Sequence, residues 1–261
     1  RDDLVTGVQT CALPILEFGI YAQRASNTSV NNCRIFNVDR AFNYVESSGD
    51  ILGNLVTANV HSIVTDRCTE SLNIFRNRLF TSNVIQVENL RFFNCENIDF
   101  RNNLVINGYS GLVIELSETV NLINNVFTET DNFAIFLNKN DGVNIRNNAI
   151  VKNNVGILWD ADSTLVQINN NFFTNNEHGN TLGITLDQTN STTNISESIY
   201  NNANPFFEDI ETYELREGAS TLLIDKGHAL YPDKYVDGSP SKGTVRSEEH
   251  TSELQSPDHL V

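Results

Sequence analysis

The sequence predicts an all-β solenoid, a coil of short parallel strands stacked turn upon turn, and three observations carry that expectation. Apolar anchors followed by paired polar residues recur as FRNRLF at Phe75, FRNNLV at Phe100, LINNVF at Leu122, IRNNAI at Ile145 and INNNFF at Ile168, in steps of 25, 22, 23 and 23 residues. Between them runs a period-two alternation: IVTD from Ile63, IQVE from Ile85, LVIE from Leu112, IFLN from Ile135, ILWD from Ile157 and ITLD from Ile184. No stretch keeps the 3.6-residue period of a helix long enough to form one. Short strands at a fixed interval of about 23 residues describe a stack, and the helical and leucine-rich alternatives lack the helices and spaced leucines they need.

The anchors are followed two positions later by Asn77, Asn102, Asn124, Asn147 and Asn170, and then by Arg78, Asn103, Asn125, Asn148 and Asn171, with weaker copies near Asn32, Asn54 and Ile195. At a tight corner between strands one residue must take a left-handed backbone, which Asn tolerates better than most. Rungs about 4.8 Å apart also let stacked amides hydrogen-bond along the axis. These asparagines therefore read as a structural ladder rather than a ligand site. In the alternating strands Ile135, Leu137, Ile157, Trp159, Ile184 and Leu186 take the inward phase, which makes Trp159 a core residue rather than a sugar platform.

This repeat resembles the right-handed β-helix superfamily typified by pectate lyases and related secreted polysaccharide-active proteins. The resemblance spans nearly all of 16–245 and implies a single-stranded right-handed parallel β-helix of about nine or ten rungs, about 45 Å long. The segment NPFFEDIETYELREGASTLLIDKG from Asn204 to Gly227 leaves the repeat and looks like the C-terminal closing segment of bacterial members. A cover is expected where a solenoid ends, because unpaired strand edges are exposed there. Residues 16–203 thus read as β-helix repeats and 204–245 as the closing segment, with Asp225, Lys226 and Gly227 in a structural turn.

The two ends have a separate reading. Val5 to Ile15 is VTGVQTCALPI and Arg246 to Ser256 is RSEEHTSELQS, and one DNA string and its reverse complement encode both peptides. The string resembles the index adaptor of short-read sequencing libraries, so 1–15 and 246–261 are expected to be translated adaptor and the chain a fragment of a longer protein. The whole chain has 33 acidic and 17 basic residues, a net charge of −16. Without the ends, 27 acidic and 15 basic residues remain, a net charge of −12. Neither balance offers the basic surface that grips nucleic acid phosphates. No apolar run is long enough to span a bilayer, so membrane insertion is not expected and a monomer is.

Chemistry is expected on outward strand positions. The residue after the second inward position gives Asp66, Glu88, Glu115, Asn138, Asp160 and Asp187, five of six acidic, with Arg67 and Lys139 directly after two of them and Asp162 close by. Carboxylates stacked about 4.8 Å apart repel, so they would hold shifted protons or a cation. The alternative is a solvated acidic edge at a strand end. Three functions remain open. Adjacent carboxylates, with Asp160 and Asp187 as the candidate pair, could cleave a glycosidic bond, one rung matching the retaining distance of about 5 Å and two rungs the upper inverting range of about 9.5 Å. The column could instead bind Ca²⁺ and a uronate polymer, with Lys139 or Arg67 removing a proton as in lyases of the resembled superfamily. Asp66, Arg67, Glu88, Glu115, Asn138 and Asp162 would then line the polysaccharide. Finally, the chain could be a non-catalytic carbohydrate-binding or adhesion solenoid. All three place it outside the cell or in a bacterial periplasm.

Other signals are sparse. Of the four cysteines, setting aside Cys11 in the adaptor leaves Cys33, Cys68 and Cys95, an odd set without CxxC spacing, which supports neither zinc nor a disulfide framework. His61, His178 and His228 are isolated in sequence.

Overall fold

The computed structural model describes residues 16–82, 86–160 and 162–183, and the backbone of 194–196, 199–200, 207–209 and 214–215. The expectations for 1–15, for 246–261 and for most of 204–245 lie outside these residues.

One repeat consists of three short strands joined by tight corners. Ser110–Glu115, Glu118–Ile123 and Val126–Thr128 make one turn, and Phe133–Asn138, Asp141–Arg146 and Ala149–Val151 make the next. Each strand pairs in parallel with its counterpart a turn away, as in Leu112 with Ile135, Val120 with Val143 and Phe127 with Ile150. The stack therefore has three faces, numbered here in the order the chain visits them.

Faces 1 and 3 join in one 14-stranded sheet, while face 2 is a separate sheet of eight strands. They join because two 12-residue strands, Arg34–Val45 and Leu55–Asp66, run from face 3 onto face 1 without a break. The expected all-β parallel β-helix is present, but the described residues make about seven turns rather than nine or ten. The expected nine or ten turns refer to all of 16–245, part of which lies outside the described residues. Beyond the last turn, Phe207–Asp209 and Glu214–Leu215 form an antiparallel pair.

Alternation fills the interior. Phe92, Phe100 and Phe127 of one neighbourhood are fully buried, and Phe100 lies 5.9 Å from Phe92 and 6.1 Å from Phe127, centroid to centroid. Trp159 belongs to the same buried cluster, on the inward phase read from the sequence. Face 3 is apolar on its other side too. Ile106, Ala149, Val151 and Phe172 alternate with the inward Val105, Ile150 and Phe173 and form a second cluster, with Phe80, Leu104 and Val126 packed against it.

The corner between faces 2 and 3 divides between two columns the two roles that the sequence gave to the asparagines together. Asn102, Asn124, Asn147 and Asn170 line up turn on turn with φ between 55° and 57°, the left-handed residues of the corner. The amide ladder is the next column: Asn54, Asn77, Asn103, Asn125, Asn148 and Asn171. Asn54 Oδ1 accepts from the Cys33 N–H, and every later Oδ1 accepts from both the backbone N–H and the Nδ2 of the turn before, as Asn125 does from Asn103 at 2.9 and 3.2 Å. Each Nδ2 also donates to a strand carbonyl, as Asn125 does to Phe100 at 2.9 Å. Asn77 thus belongs with Asn103 and not with Asn102. The anchor alignment of Phe75 with Phe100 was one residue out, since Phe75 pairs with Arg101.

The corner between faces 1 and 2 has a ladder of mixed chemistry. Ser47 Oγ accepts from the Ala25 N–H, Cys95 Sγ from Cys68, Ser117 Oγ from Cys95, Asn140 Oδ1 from Ser117 and Ser163 Oγ from Asn140.

Candidate functional site

The outer surface of face 1 gathers most of the residues singled out from the sequence. Two outward columns run along it. One is Tyr21, Asn43, Val64, Arg91, Val113, Phe136 and Leu158, fixed by successive parallel pairings. The other is Gln23, Val45, Asp66, Phe93, Glu115 and Asn138, followed by Asp160.

The continuous acidic column expected from the sequence is not there. Glu88 opens its strand, Glu88–Phe93, and pairs with Ser110, five positions from the place assigned to it. Phe93 occupies that place. The cause is local: Cys68 and Cys95 are stacked but 27 residues apart, a longer step than the usual 22 or 23, and the extra residues precede this strand. The IQVE alternation falls largely in those extra residues and is not the face 1 strand.

The remaining carboxylates are separated and engaged. Asp66 is 3.2 Å from Arg67, whose guanidinium also lies 3.5 Å from Glu46. The Arg24 hydrogen bond holds the Glu46 carboxyl below the usual carboxylate range. Glu115 accepts from Arg91 at 2.8 Å and from Asn138 at 3.0 Å. Asp160 accepts from the backbone N–H of Lys139 at 3.0 Å and from Ser163 Oγ at 2.6 Å. Lys139 is itself the left-handed corner residue, with an exposed side chain, and Asp162 is exposed beyond it. Phe93 separates Asp66 from Glu115, and Asn138 separates Glu115 from Asp160. Successive carboxylates are therefore two rungs apart, about 9.6 Å at ordinary strand spacing. Asp187 lies outside the described residues.

Sequence reasoning missed two features. Carboxylates do stack on consecutive turns, but at the start of face 2, where Glu96, Glu118 and Asp141 are in register and exposed. Among the described residues no three His, Cys, Asp or Glu side chains come together closely enough to hold a metal ion. The second feature is aromatic. Phe133 and Phe136 pack 5.6 Å apart on the outside of face 1, and the Arg91 guanidinium lies 5.4 Å from the Phe93 ring centre. Half-buried Phe93, Val113, Phe133, Phe136 and Leu158 thus form an apolar strip bordered by Arg91, Glu115 and Asn138. The visible signal was an apolar residue at an outward phase in three successive strands, LVIE, IFLN and ILWD.

At the edge of this face His61 is buried, with Nδ1 2.7 Å from the Glu88 carbonyl. Burial is the main cause that lowers its pKa; Arg40 and Arg91 act in the same sense, and Glu88 opposes them. The unfolded chain therefore takes up a proton that the folded imidazole resists. This contribution to stability is present above about pH 6.5 and is lost as pH falls below it. Melting temperatures between pH 7.5 and 5.5 should fall more steeply for the wild type than for His61→Gln, and equal slopes would discount the burial.

No helix among the described residues is long and apolar enough to cross a membrane. The family model described as "Periplasmic copper-binding protein (NosD)" matches residues 8–208, more than half of the 261. Among curated proteins none matches the chain.

Proposed function

Since the chain belongs to the NosD family, and is thus a periplasmic β-helix protein, we propose that it binds a polysaccharide along the outside of face 1 without cleaving it. The observation that carries this reading is the strip of Phe93, Val113, Phe133, Phe136 and Leu158 edged by the Arg91, Glu115 and Asn138 network. Apolar side chains suit the C–H faces of sugar rings, and the fixed polar border suits their hydroxyls. A flat, periodic strip favours an extended chain lying parallel to the axis. The carboxylate spacing supports binding over cleavage. No two of the described acids in this column are one rung apart, as a retaining pair would need to be, and Glu115 is committed to Arg91.

Copper enters only through the family's description. Cu(I) prefers Cys and Met sulfur, and the chain has no Met. Cys68 and Cys95 are buried in the face 1/face 2 corner, and no further ligand converges on them among the described residues. The described residues do not fit a copper centre.

Titration with neutral and uronic-acid oligosaccharides tests the proposal. Phe136→Ala should weaken binding about tenfold, roughly the loss of one buried aromatic contact, while wild type releases no new reducing ends and no unsaturated products. Absence of binding to either class would sink the reading. Turnover that disappears in Asp160→Asn would replace it with the catalytic one.

A further inference from the structure

We infer that Cys68 and Cys95 are joined by a disulfide in the mature protein, a covalent tie between two successive turns at the face 1/face 2 corner. The two residues are in register. Asp66 pairs with Phe93 two positions earlier, and the Glu96 N–H donates to the Cys68 carbonyl at 2.7 Å. The Cys68 N–H donates to Cys95 Sγ at 3.3 Å, which sets one sulfur against the backbone of the other cysteine. In-register neighbours on parallel strands lie about 4.8 Å apart, within the Cα separation of about 4.4–6.8 Å that a disulfide spans. The other turns supply Ser47, Ser117, Asn140 and Ser163 to this column, side chains that hydrogen-bond but cannot crosslink. Sulfur replaces them only here, on two consecutive turns.

The location supplies the second argument. A periplasmic protein meets an oxidising environment in which paired thiols are kept as disulfides. The alternative partner Cys33 is elsewhere, in the asparagine corner, where its N–H donates to Asn54 Oδ1 at 2.8 Å. The tie would also close the 27-residue turn, the one with extra residues before its face 1 strand. In this structure the two sulfurs are separate thiols, Cys68 Sγ donating to the Tyr44 carbonyl at 3.6 Å and Cys95 Sγ to Thr65 Oγ1 at 3.3 Å, so the bond forms by rotation of the Cys68 side chain toward Cys95.

The chemistry is thiol–disulfide exchange with a disulfide oxidant such as oxidised glutathione. The thiolate of one cysteine attacks the oxidant, forming a mixed disulfide and expelling one thiolate. The second cysteine, as its thiolate, then attacks the bonded protein sulfur and expels the other half of the oxidant. Both protein sulfurs are oxidised, the oxidant is reduced to two thiols, and the two cysteine protons go to those thiolates. Because both sulfurs are buried in the finished stack, exchange takes place while the later turn is still docking.

The test uses the full chain exported to a bacterial periplasm, purified without reductant, denatured and alkylated. The expected results are an intact mass about 2 Da below the reduced form and a peptide pair linked through Cys68 and Cys95. Reduction should lower the melting temperature by about 5–10 °C, the order expected for a loop of this length. The Cys68→Ser/Cys95→Ser variant should melt near the reduced wild type and ignore reductant. Serine already serves in this column, so the variant retains the corner. Quantitative alkylation of both thiols without reductant overturns the inference, and so does a link through Cys11 or Cys33. Stoichiometric Cu(I) bound by wild type and lost in the double variant also overturns it.

Discussion

Replacing Asn125 by alanine should destabilise the protein by about 3–5 kcal/mol and lower its melting temperature by roughly 10 °C. The side chain makes four hydrogen bonds in a fully buried position: it accepts from the Asn103 N–H and Nδ2, and donates to the Phe100 carbonyl and to Asn148 Oδ1. Alanine removes the partner but leaves the other groups in place in a fully buried position. Each orphaned buried group costs about 1–3 kcal/mol, and the neighbouring turns cannot move closer to repair the loss because their strands are already paired. Asn124→Ala is the control. That residue is next in sequence but its part is the left-handed corner, φ 57°, where alanine costs about 1–2 kcal/mol. Chemical denaturation of both variants checks the claim. Equal losses would mean that backbone conformation, and not the amide ladder, holds the corner.

Phe100→Ala should cost a similar amount, about 3–5 kcal/mol. Its ring is fully buried between Phe92 and Phe127, which come from two different turns and two different faces. Truncation opens a cavity that rigid pairing on three sides prevents from collapsing. Phe100→Leu retains most of the volume and should cost less than about 1.5 kcal/mol. Urea unfolding would show the midpoint falling with an unchanged slope if the loss is one of packing. An alanine variant as stable as the leucine one would mean that the interior repacks.

The architecture was legible in the sequence because its cause is periodic. Asn102, Asn124 and Asn147 mark the same corner on successive turns, and the inward phase of Ile135, Leu137 and Trp159 follows from alternation alone. Register across an irregular turn was not legible. FRNRLF and FRNNLV look like equivalent anchors, yet Phe75 pairs with Arg101 and Arg78 with Leu104, because the left-handed corner residue is Arg76 in the first motif and Asn102, one place later, in the second. The same difficulty moved Glu88 out of its expected column and concealed Phe93 within it. Face 3 was invisible as a separate element. Its three-residue strands, such as Leu104–Ile106, are apolar on both sides and too short to show alternation.

The candidate site depended on that register. A column of outward residues is defined only once every turn length is known, and one 27-residue step converts a run of acids into Asp66, Phe93 and Glu115. Asp160 meets Lys139 through the lysine's backbone N–H, a contact that no side-chain pattern in the sequence marks.

The asparagine ladder also bears on how such a chain can change in size. Every member presents to one side the same groups that it receives from the other, so the joint between any two layers is interchangeable. Duplication or loss of a complete layer leaves all joints satisfied, whereas gain of a few residues must be accommodated outside the strands. Length is therefore nearly free to drift in whole units among descendants of a common ancestor, while the spacing inside each unit is held fixed.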